Sequence, residues 1–363
     1  MISSRRVSPH NVSYEEALTL SIREKQEYFD GVILQHPKLN QVFREVSSMV
    51  QPNSGTDIVC LIGPTGVGKT ALVNHLKQNF LVNYGKEMDT DRGFLPIVAF
   101  EVPTSGEKRF SWRMFYSEWG SAFSEPLMDQ KQETIIEEGR IKIRRVENGT
   151  TVAAMRNAIV GTLIARKTIV VVMDEANHIF CTMKGPMLNT AVHALKSFAN
   201  MTGITLILVG SYDLYPIVAL SGQISRRSAI VHFKRYEIGN IQEEWQFAGM
   251  LNKLQEFLPI EDRPDLMPYS RNLHLASAGC VGILKTILAR ALNSALEAGS
   301  WKECHLESAL LSEGQLEKIL EEILEGEINI SKNVYGFSSF NKINDMTQNI
   351  TREVNRRGPE ATR

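Results

Sequence analysis

The sequence predicts an α/β fold, a nucleotide-binding domain with a five-stranded parallel sheet followed by a helical lid. Three observations predict it. GPTGVGKT, residues 63–70, matches G-x-x-x-x-G-K-[ST] and sits between an apolar run, Ile58 to Ile62, and an amphipathic stretch, Thr70 to Phe80. That order is strand, loop, helix, the context a phosphate-binding loop requires. A second apolar run, Ile169 to Met173, reads as a buried parallel strand delivering Asp174 and Glu175 to its carboxyl end. Strands alternate with helices as far as Phe233, whereas residues 241–326 carry only helical periodicity.

In chain order, residues 1–50 read as an N-terminal helical extension, with apolar positions at helical spacing and a break at Pro37. QPNSGTD, residues 51–57, is a turn-rich linker into the first strand. The α/β domain then covers residues 51–238. Its second strand runs from Phe94 to Val102 and stops at Pro103; a helix follows with aromatic residues from Trp112 to Phe123. The charge-dense KQETIIEEGRIKIRR precedes a helix from Thr150 to Arg166. After the acidic strand come a helix through Ala191 to Ala199, a strand from Ile204 to Val209 closing on Gly210 and Ser211, and a short helix from Asp213 to Leu220. Arg226 and Arg227 lead into the last strand, Ala229 to Phe233. Residues 239–326 form the lid. The tail, 327–363, is polar and expected to be flexible unless a partner orders it.

Lys plus Arg, 40, balances Asp plus Glu, 41, so any nucleic-acid contact must come from local basic patches. Four cysteines without paired-ligand spacing read as reduced packing residues rather than a zinc site. No stretch reaches the ~18 apolar residues of a membrane span and no signal-like apolar segment opens the chain, so a cytoplasmic protein without a membrane partner is expected.

The motif residues suit one chemistry. Gly63, Gly66 and Gly68, with Pro64, Thr65 and Val67 between them, let backbone N–H groups turn inward around phosphate oxygens at a helix N-terminus. Lys69 reaches the β- and γ-phosphates of a nucleotide and the Thr70 hydroxyl ligates Mg²⁺. Asp174 holds the same metal, and Glu175 is placed to polarise an attacking water. Alone, the loop is an ordinary turn and the acidic pair a solvated strand end. Together, in this order, they predict NTP hydrolysis.

The succession of phosphate loop, DE-terminated strand, strand ending in a small polar residue, arginine pair and helical lid resembles an AAA+ ATPase. Within that superfamily, VPTSGEKRFSWRMFY, DEANH, LILVGSYDL and QISRRSAIVHF resemble the TnsC/TniB group of transposition regulators, with IstB- and DnaC-type loaders more distant. The resemblance spans roughly residues 40–300. It implies ATP and Mg²⁺ as ligands, with Lys69, Thr70, Asp174 and Glu175 in the roles above. It makes Ser211 a γ-phosphate sensor, the alternative being a hydroxyl that caps the next turn. It makes Arg226 or Arg227 a finger entering a neighbouring subunit's site, the alternative being a solvated basic pair. The lid departs from the pattern: AGCVGILK has Gly279 and Gly282 but no arginine, leaving Lys285 either as a substitute or as a solvent-facing helix residue.

Two basic clusters are candidates for duplex DNA. Lys108 and Arg109 lie in a turn-prone loop beside Phe110 and Trp112, where the family keeps a DNA-facing element. Arg140, Lys142 and Arg144 share one side if their segment is extended; if helical, the run pairs with Glu137 and Glu138 instead. The implied function is an ATP-dependent regulator that forms a homo-oligomer, ring or helical filament, on target DNA. It answers to a target-selection protein and recruits or activates a transposase, and hydrolysis drives disassembly. A replicative helicase loader and a signalling NTPase scaffold are the alternatives.

Overall fold

The computed structural model describes residues 12–51, 54–104, 106, 109–124, 133–137, 140–144, 151–183, 185–214, 217 and 227–331. The N-terminal part holds α1 (Tyr14–Leu18), α2 (Ile22–Asp30) and α3 (Pro37–Met49). Then follow β1 (Ile58–Ile62), α4 (Lys69–Asn83), α5 (Gly85–Thr90), β2 (Ile97–Glu101), α6 (Trp112–Ala122), β3 (Glu133–Glu137), β4 (Arg140–Arg144), α7 (Val152–Ala165) and β5 (Val170–Asp174). The α/β part closes with α8 (Asn177–Phe180), α9 (Pro186–Thr202), β6 (Thr205–Gly210) and β7 (Ser228–His232). The helical part holds α10 (Ile241–Glu256), α11 (Ser270–Ala276), α12 (Val281–Ala298), α13 (Glu303–Ala309) and α14 (Glu313–Ser331).

The main sheet is parallel throughout, in the order β2-β5-β6-β1-β7. Apart from Asp174 and Thr205 at strand ends, its inner strands carry no polar side chain, because helices cover both faces. The pleat divides them between two cores. Ile58, Cys60, Ile62, Val171, Met173, Leu206 and Leu208 pack under α6, α7 and α9. Val59, Leu61, Val170, Val172, Ile207 and Val209 pack under α3 and α4. This is the five-stranded parallel sheet with helices on both faces that the sequence predicts.

Several elements differ from expectation. β2 starts three residues later than predicted, because Pro96 has no N–H to give the ladder and uses only its carbonyl, toward Ile169 and Val170. The helix after Glu175 is two helices, with Pro186 opening the second. The charge-dense segment forms an antiparallel ribbon, β3 with β4, which overturns its helical alternative. Its register sets Glu133 opposite Arg144, Glu137 opposite Arg140 and Ile135 opposite Lys142, so two of the strand's three basic positions are matched to acidic ones; Glu138 lies outside the described residues. The last helix runs on through Ser331, so the first five residues read as tail are helical.

The N-terminal segment is shared between cores. Leu39, Val42 and Val46 of α3 join the sheet core, whereas Phe29 and Val32 join the core of α10 to α14. Cys60 and Cys280 are buried, Cys181 and Cys304 exposed, and all four are free thiols. Among the described residues, no single helix is long and apolar enough to cross a membrane.

Candidate nucleotide site

β1 delivers the chain to Gly63, whose N–H donates to Gly210 O at 3.3 Å. A Cβ at Gly63 would meet Phe233 O at 2.5 Å, so the backbones are close enough here to require glycine. The loop turns at Gly66 and Gly68, with φ of +78° and +110°. Gly68 caps α4 without a side-chain acceptor, so the first-turn N–H groups face the loop's concavity, an arrangement suited to an anion.

Lys69 is buried at 8% exposure, and its Nζ donates to Gly63 O and Pro64 O at 3.0 Å each. Burial lowers its pKa, against the opposing pull of Glu175, Asp174 and Glu322. The Thr70 hydroxyl donates to Asp174 Oδ2 at 3.0 Å, while Asp174 Oδ1 accepts from Glu175 N–H at 3.0 Å. Glu175 sits at φ +50°, a left-handed conformation costly for a residue with a Cβ. The turn is held by Ala176 N–H on Val209 O at 2.8 Å. Strain at this position is a mark of functional sites. A hydroxyl and a carboxylate on adjoining elements form the hard oxygen set that Mg²⁺ takes, and the site fits that ion.

The other predicted residues fall into three groups. Ser211 follows β6 at the same sheet edge, and its hydroxyl donates to Asp213 Oδ2 at 3.2 Å, the turn-capping geometry. Arg227 precedes β7 at the opposite edge: its carbonyl accepts from Asp57 and Ile58, and its guanidinium lies 3.5 Å from Asp57. The length of a five-residue strand, roughly 17 Å, separates it from its own loop. Arg226 and Lys108 lie outside the described residues. Arg109 is exposed, while Phe110 and Trp112 pack edge to face at 5.2 Å against the sheet core. Arg140, Lys142 and Arg144 are on β4, away from the main sheet's ladder.

Lys285 is half-exposed on α12 and borders the cavity beside the phosphate loop. Its Nζ donates to Asp30 O at 2.6 Å and Val32 O at 2.8 Å, which ties the end of α2 to α12. Burial lowers its pKa, partly offset by Asp30.

Sequence reasoning missed how the helical part meets the loop. Gly282 N–H donates to Gly66 O at 2.6 Å. A Cβ at Gly282 would lie 2.5 Å from that oxygen, and one at Gly66 would lie 2.6 Å from Ile283 Cγ1. The only sequence signal was the glycine pair in AGCVGILK. Beside this contact lies a largely apolar cavity of about 120 Å³, bordered by Val32, Leu34, His36, Val67, Leu254 and Val281. His36 is buried and its pKa is pushed down to about 4, chiefly by burial and then by Lys38, so this wall is uncharged at neutral pH.

Residues 52–218 match the family model described as an AAA domain. The fold is similar to the ORC2 protein of Aeropyrum pernix in its ADP form, with TM-score 0.52 and 14% identity over 75% of this chain and 66% of that one. It is similar also to the ADPNP-ADP complexes of that protein, at 0.50 and 15% over 76% and 68%. The chain thus spans about two thirds of the length of these structures, just under that for the ADP form. At such identities the likeness is one of fold. No curated protein matches the sequence.

Proposed function

We propose that this chain, whose residues 52–218 form an AAA domain of the P-loop ATPase kind, is an ATP-driven switch that assembles on duplex DNA and regulates transposition. The observation that carries the ATP reading is the convergence of Lys69, Thr70, Asp174 and Glu175 at one sheet edge, on a glycine loop that opens a helix.

Lys69, with the N–H groups of residues 63–70, holds the phosphates, and Thr70 and Asp174 hold Mg²⁺. The bound ion supplies positive charge to the phosphoryl oxygens. Glu175 orients and polarises the attacking water, and Ser211 reports on the γ-phosphate. The apolar cavity beside Gly66 suits a nucleobase edge. The ORC2 structures of the same fold are an ADP form and ADPNP-ADP complexes, which supports an adenine nucleotide here.

Arg227 stands too far from its own loop to act there, which supports a finger role in a neighbour's site and hence a ring or helical filament of this chain. For DNA, exposed Arg109 with Lys108 is favoured over Arg140, Lys142 and Arg144, since the strand register sets Arg140 and Arg144 opposite Glu137 and Glu133. Transposase and target-selection partners rest on the resemblance of residues 102–116, 206–214 and 223–233 to the transposition regulators.

The test is duplex binding across a salt titration in a non-hydrolysable ATP analogue. Analogue-dependent binding with little sequence preference is expected, and Lys69→Ala abolishes it. Lys108→Ala with Arg109→Ala flattens the log–log salt slope by up to about two units, since each lost phosphate contact removes roughly one. Binding that ignores nucleotide, or no binding at all, refutes the switch on DNA.

A further inference from the structure

Asn177 and His178 open α8, two and three residues after Glu175. Neither is assigned to phosphate or metal, yet each meets the end of a strand. His178 Nδ1 lies 3.0 Å from Val102 O, just past β2. A carbonyl only accepts, so Nδ1 carries a proton and donates it. Val102 N–H in turn donates to Asp174 O at 2.9 Å. Val102 is therefore gripped from both sides of Glu175, by the residue before it and by the one three after. On the other flank Ala176 N–H donates to Val209 O, and Asn177 rests against Gly210, where a Cβ would lie 2.7 Å from Asn177 Oδ1. That oxygen is buried and finds no hydrogen-bond donor among the described residues. The first turn of α8 is thus wedged between the end of β2 and the end of β6, one residue short of Ser211.

The grip on Val102 matters because β2 is an edge strand: it pairs with β5, and no strand lies beyond it among the described residues. From Val102 the chain leaves for the loop that carries Arg109, and it rejoins the core at Phe110 and Trp112. One end of that loop is fixed to the Glu175 turn and the other to the aromatic cluster of Phe110, Trp112 and Phe115. Glu175, at φ +50°, keeps a conformation that persists only where its surroundings over-determine it. The His178 imidazole on Val102, with His178 N–H on Glu175 O at 3.0 Å, is part of those surroundings. A displacement of Val102 is carried by this one side chain to the turn that aims the carboxylate.

We propose that His178 is a positioning residue for hydrolysis: through Val102 it ties the Glu175 turn to the loop after β2, so that duplex DNA held by that loop sets the turnover of the nucleotide site. This rests on the nucleotide and DNA readings above. A misplacement of about 1 Å in a catalytic group costs on the order of 10²-fold in rate. Phosphate binding by Lys69 and the loop N–H groups does not depend on where Glu175 points. Loss of the imidazole therefore acts on turnover and spares affinity.

The experiment uses the full chain and measures steady-state ATP hydrolysis with and without duplex DNA, together with affinity for a non-hydrolysable ATP analogue and for the duplex. It compares the parent with His178→Ala, His178→Asn and Lys69→Ala. Duplex is expected to raise the parent's kcat about fivefold or more, the scale of ordinary coupling between sites. His178→Ala should lower kcat by about ten- to a hundredfold with KM and analogue affinity nearly unchanged, and should erase the response to duplex. His178→Asn, whose Nδ2 can donate to the same carbonyl, should restore most of both. An unimpaired His178→Ala, an Asn variant as impaired as the Ala variant, or a loss of analogue affinity in step with turnover makes His178 a packing residue and overturns the proposal. So does a parent that binds duplex without a rise in turnover, or an Ala variant that still responds to it. A parent that binds no duplex fails the DNA reading instead, and one that binds nucleotide no better than Lys69→Ala fails the nucleotide-site reading; either takes the coupling with it.

Discussion

The sheet side of the site and its helical side are assembled from different parts of the residue. On the sheet side particular side chains are required: the Thr70 hydroxyl meets the Asp174 carboxylate at 3.0 Å, and the Lys69 ammonium stands on two carbonyls of its own loop at 3.0 Å each. On the helical side the contacts end on the main chain. Gly282 N–H finds Gly66 O, and Lys285 finds the carbonyls of Asp30 and Val32. Chemistry demands particular side chains, so the first half leaves a residue-type signature. Coupling through backbone groups, which every residue owns, leaves almost none. The helical side is also where nucleotide state must be felt if the lid is to move.

The strongest way to break this division is to attack the chemistry without touching the packing. Glu175→Gln keeps the volume and the main-chain turn, and should lower the hydrolysis rate by about 10²–10⁴-fold while nucleotide affinity is retained. Steady-state turnover and equilibrium binding on one preparation decide it; hydrolysis at the parental rate would remove Glu175 from the role of base.

The converse experiment attacks the packing alone. Gly282→Ala puts a Cβ 2.5 Å from Gly66 O, and either the loop or α12 must give. A loss of about 1–3 kcal/mol in unfolding free energy is expected, together with weaker nucleotide binding, because the strained loop is the binding element. Denaturant unfolding with and without nucleotide measures both. Full stability with unchanged affinity would mean that the two sides are not coupled through this contact.

A smaller effect sharpens the comparison by pH. His36 and His232 both have pKa values pushed from 6.5 to about 4, each chiefly by burial. The unfolded chain therefore binds more protons between these limits, so stability is full above about pH 6.5 and falls as pH drops toward 4. The slope is at most about 1.4 kcal/mol per pH unit for each histidine. His36 Nδ1 accepts from Leu39 N–H at 3.3 Å and faces the Tyr236 hydroxyl at 3.0 Å, so its protonation removes the cap of α3. His36→Asn keeps a capping acceptor without titrating, and should flatten the pH dependence of unfolding by about half.

The sheet was legible from sequence because its strands are short apolar runs rich in β-branched residues, two of them ending in a motif, and the phosphate loop and acidic pair were legible because their spacing admits few other purposes. Three things were not. The β3–β4 ribbon alternates charged and apolar residues in a way that also suits a helix face, and only its pairing decides. Lys285 carries the residue type of a nucleotide sensor, yet its partners are two carbonyls 253 and 255 residues away, which no local pattern announces. Gly326 reads as a helix defect until the ring of Tyr212 is found against it. In each case the deciding term is a contact between distant segments.

The ammonium of Lys69 is held by two carbonyls of its own loop. Those oxygens solvate the cation from within the protein, so it needs no rescue by water and no collapse of the loop when a phosphate leaves. Loading and unloading then become an exchange of one set of oxygens for another around a fixed charge. The kinetic corollary is that opening and closing of the surrounding helices, rather than rebuilding of the cradle, sets the pace at which the loop can be refilled.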